Sequence, residues 1–127
     1  MEAATAPAVT PLRERLKNVK PFTSEIVAVP EWDGEKIEVR SMSVARKTQM
    51  VTNATDAAGD VDERALMPEL VIACSFDPDT GSPVFSDSDA VWLGDQNAAA
   101  VERLATVGMR LSGMDVAAAV DEGKDGS

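Results

Sequence analysis

Apolar and polar positions change their period several times along the chain, and each change marks an element. Thr10 followed by Pro11 suits a helix start, because Thr can cap orphan amides and Pro fits the first turn. Leu12, Leu16 and Val19 then share one face, which predicts a short helix over about 10–19. Between Glu25 and Arg40 the period becomes two: Val27 and Val29 lie on one side, and Ile37 and Val39 alternate with Lys36, Glu38 and Arg40. Pro30-Glu31-Trp32-Asp33-Gly34 separates the two runs, and Asp-Gly suits a turn that needs positive φ. This predicts a β-hairpin over 25–40, with Trp32 either covering one face of the small sheet or serving as a partner-binding anchor.

Helical spacing returns after the hairpin. Ser43 can cap a helix through about Thr52, with Val44, Met50 and Val51 as its stripe, and 53–60 reads as a loop. Val61 to Phe76 is ambiguous by pattern, because Pro68 interrupts it and Leu70 to Phe76 is a short apolar run. If the run is helical, Pro68 should open a new helix or mark a kink. Asp77 to Pro83 is a turn, and Ser86 with Asp89 three residues on approximates a capping box for a short helix ending at Gly94. A last helix begins near Asn97, places Val101, Leu104, Gly108 and Leu111 on one stripe, and stops at Gly113.

The ends look different. Residues 1–8 have no large apolar side chain after Met1 and read as a flexible lead-in, and 115–127 reads as a mobile acidic tail. The prediction is therefore an α+β fold, an N-terminal β-hairpin packed on a mainly helical single domain spanning 9–114. With 44% hydrophobic residues but only 4% aromatic, its core must be built mainly of Ala, Val, Leu, Ile and Met.

Charge narrows the partners. The net charge is −10, and residues 54–95 alone carry ten acids against Arg64. Such a field repels phosphate backbones and anionic lipid heads, which argues against nucleic acid and membrane. The acidic middle is either a solvated face or a docking surface for a basic partner. No stretch approaches the roughly 18 apolar residues of a membrane span, so the protein is expected in the cytosol.

Catalytic chemistry has little to work with. The chain has no His, no Tyr and a single Cys, so it cannot form a Ser-His-Asp or Cys-His site or a conventional zinc centre by itself. Cys74 lies in the apolar run 70–74 and reads as a buried small hydrophobe. Asp77-Pro78-Asp79-Thr80-Gly81 mimics the opening of a calcium loop, but the sixth and twelfth positions are Ser82 and Ser88, so an Asx-type turn is the better reading. We expect no catalytic residue, no cofactor and no metal.

The order of blocks from Val29 onward resembles the tail assembly chaperones of long-tailed double-stranded DNA phages. The blocks are Val29-Pro30-Glu31-Trp32 with Val39-Arg40, then Leu70 to Cys74 running into Asp77 to Phe85, and finally Arg110-Leu111-Ser112-Gly113-Met114. The resemblance implies a non-enzymatic protein that binds the tape measure protein, keeps it soluble, helps gather tail tube protein, acts in the host cytoplasm and is absent from the finished virion. It also favours a helix for 70–76, and self-association is compatible with it. A tape measure helix would need an apolar groove. The expected partner-binding residues are Trp32, Val101, Leu104, Met109, Leu111 and Met114, with Met109 and Met114 as adaptable contacts. The competing reading makes the Val101, Leu104, Gly108, Leu111 stripe simply core. Two other functions fit less well: a head-tail connector or tail terminator that stays in the particle, and an acidic inhibitor that mimics nucleic acid.

Overall fold

The computed structural model describes residues 10–114; the expected lead-in and acidic tail lie outside the described residues. The chain runs α1 (Leu12–Lys17), β1 (Ser24–Val29), β2 (Glu35–Arg40), α2 (Val44–Asn53), α3 (Glu63–Cys74), β3 (Ser75–Phe76), α4 (Ala90–Gly94) and α5 (Ala98–Leu111). Its class is the α+β fold read from the pattern.

The hairpin forms where the period-two run places it, with β1 and β2 antiparallel and Val29 opposite Glu35. Asp33 at φ 57° and Gly34 at φ 75° turn the loop between them, which is why Asp-Gly stands there. Alternation sends Val27, Val29, Ile37 and Val39 inward, where α5 packs against both strands. A third strand, β3, pairs with β2 through Ser75 opposite Val39, so the sheet order is β1-β2-β3.

α3 lies at the centre and touches α2, α4, α5 and β2. Its side chains from Pro68 to Cys74 are all buried, and all but Glu69 are apolar. The run 70–76 is therefore helical only as far as Cys74; Ser75 and Phe76 leave the helix to pair with β2. Nor does Pro68 open a helix: Asp62 caps the start by accepting from the Arg64 N–H, and α3 continues through Pro68 in its second turn. Buried Glu69 accepts a hydrogen bond from Asn53 Nδ2 at 3.1 Å.

α3 and α5 cross closely at Gly108, where a side chain would meet Cys74 Sγ at 2.9 Å. The end of α5 carries both Schellman hydrogen bonds, Met114 N–H to Met109 O at 2.7 Å and Gly113 N–H to Arg110 O at 3.2 Å, with Gly113 at φ 71°. Ser112 Oγ accepts from Met42 N–H at 2.9 Å, and Arg110 pairs with Glu25 at 2.8 Å. The block 110–114 thus locks the last helix to the hairpin and to the approach to α2.

α1 departs from expectation at its start. Thr10 does not cap it; Pro11 occupies that position without a side-chain hydrogen bond. Its apolar face is also uncovered, with Leu12, Leu16 and Val19 each about 60% exposed. The stripe of α2 is partly solvated as well: Met50 is buried, whereas Val44 is exposed. Ser43 does cap α2, accepting from Arg46 N–H at 3.0 Å.

Candidate functional site

The chain has three Phe, two Trp and no Tyr, and they gather in two places. Phe22 and Phe76 flank the guanidinium of Arg40, at 4.4 and 4.1 Å from its carbon, and Glu38 accepts from the same group at 3.0 Å. That contact holds the Glu38 carboxyl below its ordinary value. The other three rings meet at the turn end of the hairpin.

Trp32 arrives on a 3-10 turn, Pro30–Trp32, fixed by its neighbour: Arg103 on α5 donates to Glu31 at 3.1 Å and holds that carboxyl low. Phe85 follows the turn over 77–83, where Asp77 Oδ1 accepts from Asp79 N–H at 2.8 Å in an Asx turn. Trp92 stands on α4, which continues a 3-10 turn, Asp87–Asp89, that a capping box starts, Ser86 N–H donating to Asp89 Oδ2 at 2.8 Å. Ring centroids are 6.2 Å apart for Trp32 and Phe85, 6.1 Å for Trp32 and Trp92, and 6.0 Å for Phe85 and Trp92. Edge-on and tilted contacts at this range are favourable and hold the three rings as a unit.

The rings form one wall of an open groove of about 630 Å³. Its rim carries three carboxylates, Glu35, Asp77 and Asp79, against the single ammonium of Lys36. Trp92 remains 49% exposed and its neighbour Val91 78% exposed, so large apolar surface is left in water. α4 also borders a second groove of about 370 Å³, where Met67, Pro68, Leu93 and Val101 stand beside Arg64 and Glu102.

The six residues expected at a partner surface are not brought together. Trp32 lines the aromatic groove, and Val101, although buried, lines the second. Leu104 and Met109 are core residues, while Leu111 and Met114 are half-buried at the far end of α5. Trp92, Phe85 and Val91 lay outside the sequence-based set. Trp92 follows Val91 in a short helix opened by Ser86 and Asp89, and its large ring on so small an element was the available signal. Burial pushes the Cys74 thiol up to about 12, so it stays protonated at neutral pH.

The sequence matches the phage tail assembly chaperone family over residues 12–125. The chain belongs to that family. Among solved structures, one resembling it is the tail assembly chaperone of bacteriophage HK97, with a TM-score of 0.57 and 23% identity, covering 78% of this chain and 91% of that one. At that identity the likeness speaks for the fold. Among curated proteins none shows significant similarity to the sequence. Membership in the tail assembly chaperone family implies partners among tail proteins. Among the described residues no helix is long and apolar enough to cross a membrane.

Proposed function

We propose that the chain binds the tape measure protein, keeps it soluble until assembly and helps gather tail tube subunits around it. It acts in the host cytoplasm, has no catalytic activity and is left out of the finished virion. The observation that carries this reading is the pair of grooves that α4 borders, one through Trp92 and the other through Leu93, with Val91 and Trp92 of that helix exposed. An amphipathic helix of a partner presents apolar side chains at three- and four-residue spacing, and adjacent apolar grooves accept such a stripe. Trp32 contributes to the aromatic wall of one groove and Val101 to the wall of the other. Leu104 and Met109 support the helix from within, and Leu111 with Met114 offers a secondary contact at its end.

Co-expression with the tape measure protein of the same phage tests the reading. Soluble, co-purifying tape measure protein is expected with the native chain, and its loss is expected with Val91→Ser/Trp92→Ala when circular dichroism shows that variant folded. An insoluble tape measure protein beside an abundant, folded native chain would overturn the proposal, as would finding the chain in purified particles.

A further inference from the structure

The two aromatic clusters differ in one respect. Phe22 and Phe76 enclose Arg40, with Glu38 beside it, so this fold already houses a guanidinium between rings with a carboxylate in reach. Trp32, Phe85 and Trp92 have carboxylates around them but, among the described residues, no cation stacked on their faces.

We propose that the Trp32, Phe85 and Trp92 groove receives a lysine or arginine side chain of a partner segment, its stem on the rings and its charge among Glu35, Asp77 and Asp79. This deepens the chaperone reading and rests on it only for the identity of the partner. The chemistry follows from the lining. Indole faces attract cations through their quadrupole, and tryptophan does so best. The long alkyl stem of Lys or Arg covers apolar surface while its head stays near water and carboxylates. An anionic segment would meet three negative groups and one positive, so charge complementarity selects a basic occupant. Two observations beyond the aromatic patch support this. The acids at 77 and 79 are presented on a turn tied by its own hydrogen bonds, Asp79 N–H to Asp77 Oδ1 and Gly81 N–H to Asp77 O, both at 2.8 Å, so the rim is preorganised. Glu31, next to Trp32, is paired with Arg103, which leaves the rim carboxylates as the groove's own charge.

Both tryptophans of the chain line this groove, so intrinsic fluorescence reports on it directly. The probes are two synthetic amphipathic peptides with the same leucine and alanine positions, one carrying arginine and the other glutamate at every polar position. At low salt the arginine peptide is expected to shift the tryptophan emission saturably, and the glutamate peptide to leave it unchanged. Asp77→Asn/Asp79→Asn keeps the side-chain acceptor that ties the turn and should weaken arginine-peptide binding about fivefold or more, in line with two partly solvated carboxylates. Asp60→Asn/Glu63→Gln removes the same charge from exposed positions before and at the start of α3 and should change it less than about twofold. Equal binding of both peptides, or equal weakening by both double variants, would overturn the inference in favour of contact without charge selection or of net charge alone. A shift of emission on diluting the protein without peptide would also overturn it, because a second copy would then fill the groove. If Asp77→Asn/Asp79→Asn solubilises the tape measure protein as well as the native chain does, cation recognition fails while the chaperone reading stands.

Discussion

Gly108 offers a sharp test of the packing between α3 and α5, because two effects of its replacement by Ala oppose each other. Alanine in the middle of a helix is favoured over glycine by about 1 kcal/mol. The added Cβ, however, would lie 2.9 Å from Cys74 Sγ and 3.1 Å from Cys74 Cβ, whereas unstrained carbon contacts sit near ~3.5–4.0 Å. The thiol has no room to swing away, since Cys74 is almost wholly buried. Overpacking of this kind costs about 1–3 kcal/mol, so Gly108→Ala should range from neutral to about 2 kcal/mol destabilising. Cys74→Ala removes the closer of the two obstructing atoms at the expense of lost packing. In the double variant the two changes should compensate by about 1 kcal/mol relative to the sum of the singles. Urea unfolding at unchanged slope measures all three differences. A full 1 kcal/mol gain for Gly108→Ala, together with additivity in the double variant, would show that the helices do not approach as closely as the geometry states.

Two further predictions concern single groups. The Cys74 thiol, raised by burial from its ordinary 9.0 to about 12, stays protonated in the folded state while the unfolded chain already ionises, so its contribution to stability is complete below pH 9 and is lost as pH rises towards 12. Native protein should therefore resist alkylation at pH 8 and react only on unfolding, and Cys74→Ala should flatten the alkaline limb of the stability curve; rapid alkylation of folded protein would contradict the burial. Ser112→Ala removes the acceptor of the Met42 N–H and should cost about 1 kcal/mol in urea unfolding, whereas Arg110→Ala, which breaks an exposed ion pair with Glu25, should stay within about 0.5 kcal/mol.

Elements with local causes were legible before the structure. The hairpin follows from alternation and Asp-Gly, α2 from Ser43, and α5 from Asn97, whose side chain accepts from Ala99 N–H, and from Gly113. β3 was not legible, because two residues show no alternation and the strand exists only where β2 offers an edge. The exposed stripe of α1 was visible as a stripe, but sequence does not say what covers one. The same gap explains the site. Val101, Leu104 and Gly108 lie on the apolar stripe read from the sequence, and the sheet and α3 take it, together with Met109, as their own core. Trp32 was recognised by its type, while its partners Phe85 and Trp92 come from segments more than fifty positions away and meet it only through the tertiary fold.

The two ties at the end of α5 also set an order in time. Met42 to Ser112 and Glu25 to Arg110 join positions 70 and 85 residues apart, and the inner face of the hairpin is covered by α5. A ribosome that has made the hairpin, α2 and α3 has therefore made a sheet whose valines still lack the helix that covers them. Completion waits until residue 112 is available, because contacts so distant in sequence form only after both partners exist. Premature termination before α5 would release a chain with Val27, Val29, Ile37 and Val39 uncovered, a sticky product rather than a smaller functional one.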